Sequence, residues 1–395
     1  MIDTTFKINK TTWKPVKFGD VVFEPKESSK DIIADGIDHV VGLEHIDTGD
    51  VHLRRSASSK ESTTFTKMFK KDDVLFGRRR AYLKKAALAD FDGICSGDIT
   101  VFRAKKELSP ALLPFIVHND KFFDYAVKHS AGGLSPRVKF KDLANYEFLL
   151  PPKAEQARLA ELLWAMDEVV EKEKEGKLKY EQFLKRYLYD STSGKLSSNF
   201  PKWREYTFGD LGESFNGLTG KTKKDFGEGS PYVNYMNIFR NSKVDPTQVD
   251  YVNIGNNEKQ NELKYGDILI TGSSETPHEV GMSSVVLDDL DDFYLNSFCF
   301  GFRLENFNIL RPEYARFLLR GEDVRKFMFR HAQGSTRFNL SKTTVKTKLK
   351  IVLPEVNEQK EIAKILDEME NNLLTFESKI SASQSLHKSL INQIF

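Results

Sequence analysis

The chain has 395 residues, 39% of them hydrophobic and 12% aromatic, and its charges, 29% of the residues, are of mixed sign. That length exceeds what one core usually supports, so two or more domains are expected, and the mixed composition argues against disorder. Two cysteines, Cys95 and Cys299, are too few for a disulfide framework or a zinc cage, and a net charge of +2 does not by itself call for nucleic acid.

At the start, Met1 to Lys14 is polar and lacks an apolar signal segment, which predicts no export. Nowhere does the chain approach the roughly 18 to 20 apolar residues of a membrane span, so no membrane is expected and a reducing cytoplasm fits. The first segment then opens on Trp13-Lys-Pro-Val-Lys-Phe-Gly-Asp20. Short β-like runs follow at 73–76, 99–102 and 146–150, with a helical stretch at 110–128, separated by Gly, Asp, Asn and Pro signals. An α/β (α+β) globular domain is expected. Its first 150 residues carry 25 Lys and Arg against 21 Asp and Glu, a modest cationic surplus.

From Pro151 the pattern changes to one long helix. Leu159, Leu163, Met166, Val170, Glu173, Lys177, Tyr180, Leu184 and Tyr187 recur at alternating steps of four and three, which is a heptad seam. Glu173 and Lys177 stand mid-seam, where they could fix a register, mark a surface for another subunit or loosen the packing. Over 154–190 such a helix runs about 55 Å at 1.5 Å per residue, longer than the roughly 34 Å of one DNA turn. A polar Ser/Gly linker, Ser191 to Asn199, ends at Pro201.

The chain then starts again. Trp203-Arg-Glu-Tyr-Thr-Phe-Gly-Asp210 repeats the opening at an offset of 190, Asp267-Ile-Leu-Ile270 repeats Asp73-Val-Leu-Phe76 at 194, and Leu353-Pro-Glu-Val-Asn-Glu-Gln359 repeats Leu150-Pro-Pro-Lys-Ala-Glu-Gln156 at 203. Further strands at 284–287 and 350–353 and a helical stretch at 312–331 complete a second head. A second seam, Ile362, Leu366, Met369, Leu373, Phe376, Ile380, Ser383, His387 and Leu390, follows the first at a constant shift of 203. Each could be an ordinary amphipathic helix packed on its own domain, but the duplication favours two similar helices that pack on each other.

Loops in both heads are candidates for nucleic acid. In the first head Arg78, Arg79 and Arg80 follow a strand, with Tyr82 and Lys84 next; Arg54, Arg137 and Lys139 are further cations. Guanidinium groups suit phosphates and the major-groove edge of guanine. The equivalent loop of the second head offers Ser273, Ser274 and His278 instead, and Thr219, Lys221, Lys223, Ser335, Thr336, Arg337, Asn339 and Lys342 form two more polar and basic clusters. Trp13, Trp203, Phe65, Phe69, Phe298 and Phe300 read as core anchors. Catalytic signatures are missing: Gly220-Lys-Thr222 is no phosphate loop, because Phe215 stands where the pattern needs glycine. Methyltransferase and nuclease motifs, metal-ligand spacing and a nucleophile elbow are likewise not found.

The layout resembles the specificity subunits of type I restriction–modification enzymes over nearly the whole chain. The resemblance rests on the repeated Trp-x5-Gly-Asp openings, the Asp-(Val/Ile)-Leu strands with their polar loops, and the Leu-Pro and Glu-Gln that open each long helix. It also rests on Gly334-Ser-Thr-Arg337 with Asn339-Leu-Ser341, from which Gly132-Gly-Leu-Ser-Pro-Arg137 departs. It implies target-recognition domains at 1–152 and 203–353, and spacer helices at 153–192 and 354–395 joined through a linker at 193–202. The helices would pair as an antiparallel coiled coil with pseudo-twofold symmetry. Each head would read one half of a bipartite, asymmetric site in double-stranded DNA. The helices would set the gap and dock two modification (methyltransferase) subunits, and a restriction (motor–nuclease) subunit would join them. S-adenosylmethionine, ATP and Mg would belong to those partners, with no cofactor, metal or catalytic residue here. The alternative is a duplicated coiled-coil scaffold that binds proteins rather than DNA. On the main reading, exchanging residues 13–150 for those of a relative changes one half of the target and leaves the other, which comparison of the two methylated motifs checks.

Overall fold

A computed structural model describes residues 8–29, 31–32, 34–60, 63–255 and 257–395. The chain divides into two compact units, 1–175 with 377–395 and 176–376, so each unit takes a globular head and part of both long helices.

Each head is closed by its own ends. Lys14–Lys17 pairs antiparallel with Glu147–Leu150, and Arg204–Thr207 pairs the same way with Lys350–Leu353. The Trp-x5-Gly-Asp motif serves that closure. Phe18 and Phe208 are fully buried, and the Asp20 and Asp210 carboxylates each accept a backbone N–H three residues back, from Lys17 and Thr207, at 3.1 Å. Glycine lies between them because there is no room for a side chain. A Cβ on Gly19 would lie 2.7 Å from that of Ala144, and one on Gly209 would lie 2.7 Å from the Lys346 carbonyl oxygen.

The apolar runs form the centre of each head. In the first, an antiparallel sheet is ordered Val22–Phe23, Ile99–Ala104, Val74–Gly77, Ala86–Leu88; in the second, Gly212–Asn216, Cys299–Leu304, Ile268–Thr271, Ser283–Val285. Val74, Leu75 and Phe76, like Ile268, Leu269 and Ile270, are fully buried, which explains their continuous apolar run. Both copies begin the central strand with a buried aspartate held by a two-pronged arginine. Arg103 donates twice to Asp73 at 2.7 Å, and Arg303 twice to Asp267 at 2.8 and 2.7 Å. A smaller sheet in each head contains one parallel pair, His39–Val41 with Gly93–Cys95 and Phe226–Val233 with Tyr294–Leu295. Burial pushes the thiols of Cys95 and Cys299 up to about 12.

The helical stretches at 110–128 and 312–331 are each broken. Leu113–His118 stops before Asn119, whose side chain accepts from Lys121 N–H and restarts the helix as Asp120–Lys128. Pro312–Leu318 and Glu322–His331 are parted at Gly321. Apolar spacing alone carries across such a break.

A buried glutamine seats each long helix. Gln156 Oε1 accepts from Ser109 N–H at 2.8 Å, while its Nε2 donates to the Glu107 and Pro151 carbonyls at 3.0 and 2.9 Å. Gln359 repeats this with Arg311 N–H at 2.9 Å and the Ile309 and Pro354 carbonyls at 2.7 and 2.9 Å. The helices run Lys153–Thr192 and Val356–Ile394. In the first unit Leu159 and Leu163 of the first helix and Ile391 and Ile394 of the second join the core of the head. Val170 and Lys174 line one cleft with Gln384 and His387. In the second unit Ile362 and Leu366 are core residues, and Leu184, Tyr187 and Leu188 pack against the same core. There the Tyr180 ring lies 5.4 Å from that of Phe376, and Asn372 Nδ2 donates to Tyr180 at 3.3 Å. Within each unit the numbering of the two helices runs in opposite senses, so they pair antiparallel. Val170 and Met369 are also buried, and Met166, Leu373 and Ile380 are half-buried. Glu173 Oε2 is buried with no hydrogen-bond partner.

The first head also grips its helices through polar groups. Trp164 Nε1 donates to the Ala111 carbonyl at 2.9 Å, His52 Nε2 meets Asp167 at 2.6 Å, and Arg54 reaches Glu171 at 2.8 Å. The hydrogen bond to Asp167 raises the His52 imidazole above its ordinary value despite burial. A raised folded-state value means that its stabilisation is full below the unfolded-state value of about 6.5 and disappears as pH rises through the folded one. His52→Gln is therefore expected to lower the melting temperature at pH 6 more than at pH 9; an equal loss at both would mean that a neutral hydrogen bond accounts for the contact. Gln156→Ala removes three backbone hydrogen bonds made by a buried amide and is expected to cost at least about 2 kcal/mol in denaturant unfolding.

Candidate nucleic-acid interface

In each head the central strand delivers a loop that meets a second loop as a short ribbon. In the first head Arg78 N–H donates to the Asp98 carbonyl at 2.9 Å, and Val138 N–H donates to the Arg78 carbonyl at 3.1 Å. Arg79 faces Arg137 across an antiparallel bridge, and Arg137 and Ala131 exchange two backbone bonds of 2.9 Å. In the second head Gly272 N–H donates to the Phe298 carbonyl at 3.0 Å and Leu340 N–H to that of Gly272 at 2.9 Å. Ser273 and Ser274 pair with Asn339 and Phe338, and Asn339 exchanges bonds with Gln333 at 2.8 and 2.9 Å. This is one frame built twice. It makes Arg79 equivalent to Ser273, Arg137 to Asn339 and Asp98 to Phe298. A two-stranded ribbon is a shape that the major groove admits.

The chemistry on the two frames differs. In the first head Asp98 Oδ1 accepts from Arg137 Nε at 2.7 Å, and its Oδ2 accepts from Arg79 Nη1 at 3.3 Å. Arg79 Nη2 and Arg80 Nη2 donate to Ser135 Oγ at 3.1 and 3.4 Å. The Arg137 hydrogen bond, followed by its charge, holds the Asp98 carboxyl below the usual carboxylate range. Arg78 is half-buried and Lys139 exposed. Arg80 and Lys84 both adopt left-handed backbone, φ +54° and +49°, and bracket a turn that leaves Tyr82 exposed.

In the second head Ser335, Thr336, Arg337 and Asn339 are all exposed, and the Arg337 guanidinium lies 5.1 Å from the centre of the Phe298 ring. Phe298 is 56% exposed, so it is not the core anchor expected from its apolar neighbours; Trp13, Trp203, Phe69 and Phe300 are buried. Phe298 also faces Tyr235, Met236 and Phe239 across a cleft of about 780 Å³. Lys342 Nζ donates to Asn216 Oδ1, and Thr219 and Lys223 are exposed on the neighbouring loop.

Several expected contacts have other partners. The Lys221 side chain is 7% exposed, pairs with Glu258 and donates to the Asn253 carbonyl at 2.5 Å, so it braces its loop instead of facing solvent. The side chains of Ser273 and Ser274 are buried, Ser274 donating to Glu279 at 3.0 Å. His278 stacks on Phe329 at 4.4 Å. Arg54 is bound to Asp50 and Glu171, and Lys84 to Asp120 at 2.6 Å, on the side of the head that meets the long helices. Sequence reasoning did not single out Asp98. Its signal was the register Ile99/Cys299 between the copies, which sets an acid opposite an aromatic one residue earlier.

Among the described residues no group of three or more His, Cys, Asp or Glu is placed to hold a metal ion, and no helix is long and apolar enough to cross a membrane.

A family model described as the type I restriction modification DNA specificity domain matches the chain twice, over residues 10–180 and 201–383. The chain is 30% identical over 188 residues to the putative type I restriction enzyme MjaX specificity subunit of Methanocaldococcus jannaschii, a match covering 46% of this chain and 42% of that protein. It is 30% identical over 103 residues to the type I restriction enzyme EcoDI specificity subunit of Escherichia coli, covering 25% and 23%. The match thus spans less than half the length of either curated relative. Among solved structures, the HsdS subunit of Thermoanaerobacter tengcongensis superposes with a TM-score of 0.52 at 20% identity, over 100% of this chain and 99% of that one. The type I S subunit of M. genitalium gives 0.54 at 15%, over 98% of both. A chain of a type I R-M system solved for its complex assembly and conformational transition gives 0.66 at 20%, again over 98% of both. These likenesses establish the fold.

Proposed function

Because the chain belongs to the type I restriction–modification DNA specificity family, we propose that it is the non-catalytic recognition subunit of such a complex, each head reading one half of a split, asymmetric site in double-stranded DNA. The observation that carries this reading is the ribbon built twice on one backbone frame with different side chains. A shared frame would approach DNA in the same way, and different side chains would read different bases. The cations that remain accessible there, among them Arg137, Arg337 and Lys139, are few. That number suits a chain that positions a complex whose partners supply most of the affinity.

The long helices set the gap between the two half-sites and dock two modification subunits. Leu162, Val169, Leu178 and Phe183 on the first helix, and Leu374 and Leu386 on the second, are exposed apolar side chains that suit such docking. Restriction subunits join that assembly in the cytoplasm. S-adenosylmethionine, ATP and Mg act in those partners.

Long-read mapping of methylated bases across the source genome, with this gene intact and deleted, tests the proposal. Loss of one split, asymmetric methylated motif is expected on deletion. If the cell makes an active type I methyltransferase and every motif survives, the recognition reading is wrong, and capture of protein but not duplex would favour the scaffold.

A further inference from the structure

Position 98 in the first head and 298 in the second occupy the same place, since each accepts a backbone bond from the residue that follows the central strand, Arg78 or Gly272. Each also supports one exposed arginine of the ribbon. Asp98 does so with a carboxylate on Arg137 Nε, and Phe298 does so with its ring beneath Arg337. The arginines are not equivalent to each other. Arg137 corresponds to Asn339, so Arg337 stands two residues earlier on its ribbon, where the first head has Ser135.

Resting on the DNA-reading proposal, we infer that position 98/298 is the specificity-positioning residue of each head. It selects which ribbon position presents an arginine to a guanine: Arg137 on Asp98 in the first half-target, Arg337 on Phe298 in the second. The geometry suits this role. Asp98 engages Arg137 through Nε, which leaves the Nη1/Nη2 edge to match guanine O6 and N7. A ring contact takes up only the face of the Arg337 guanidinium, so the nitrogens on its edge are left to bond a base. Both supports restrain a long side chain before the ligand arrives, which favours selectivity over mere attraction. Arg79 shares the Asp98 carboxylate and is tied to Ser135, so it braces Asp98 and the ribbon. The side chain of Asp98 is 21% exposed and Phe298 is 56% exposed, so neither is a core position whose change would unfold a head.

The test uses the full chain in its own cell. Chromosomal Asp98→Asn, Asp98→Glu and Phe298→Ala alleles are compared by long-read methylation mapping, with melting of the purified chains as the control for folding. Each half of the wild-type motif is expected to contain a G·C pair. Asp98→Asn should reduce discrimination at that pair in one half by about tenfold, the loss of one oriented bidentate contact, and leave the other half as strict as before. Phe298→Ala should do the same to the other half, and Asp98→Glu should keep the preference for guanine. A half-motif without a G·C pair overturns the inference, as does a uniform fall in methylation with unchanged base preference, because a merely structural role predicts that pattern. If the wild-type gene governs no motif at all, the DNA reading itself fails.

Discussion

Where each head meets its long helix, a single buried amide joins three backbone groups. Gln156 and Gln359 receive a backbone N–H from a turn of the head and donate to two carbonyls, one in the head and one in the proline corner before the helix. Leaving such an amide unsatisfied away from water is costly, so the helix departs in one direction and one register. Every later feature of the helices inherits that setting. In each head the strand that closes the fold, Glu147–Leu150 or Lys350–Leu353, leads within a few residues into the long helix.

The helices finish what the heads begin. The core of the first unit includes Leu159 and Leu163 from one helix and Ile391 and Ile394 from the other, and the second unit draws in the same way on Ile362 and Leu366, with Leu184 and Leu188 packed against the same core. Neither head is therefore a closed core without helical residues from both halves of the sequence. Polar contacts add direction to this apolar packing: Asn119 and Asp120 bond Ile391 and Asn392, while the buried Arg316 faces Asp367 and Glu370.

Charge is distributed economically over this frame. Many basic residues that look available in the sequence already have acidic partners, among them Arg54, Lys84, Arg103, Lys221 and Arg303. Exposed cations stand on the ribbons and the loops beside them, such as Arg137, Lys139, Lys223 and Arg337, and also elsewhere, as with Lys153, Arg158, Lys360 and Lys364 on the long helices. Surface charges act over about one Debye length, roughly 10 Å at moderate salt, so the few on each ribbon act locally whatever the net charge of the chain.

The repeat, the two long helices and the closing motifs were legible in the sequence because each depends on local periodicity or on a rigid spacing between identical residue types. The seam positions repeat every seven residues wherever the helix goes, and the glycine of Trp-x5-Gly-Asp is required by a close approach that both copies share. The breaks at Asn119 and Gly321 were less visible, since apolar spacing continues across them. Which cations face solvent, that Phe298 is exposed, and that Asp98 stands where Phe298 stands were decided only by tertiary structure. Those facts depend on residues dozens to more than a hundred positions apart being brought within hydrogen-bond or ring-contact distance, as with Lys221 and Glu258 or Asp98 and Arg137. Local pattern carries no record of such pairings; they exist only once the strands have paired and the loops have met.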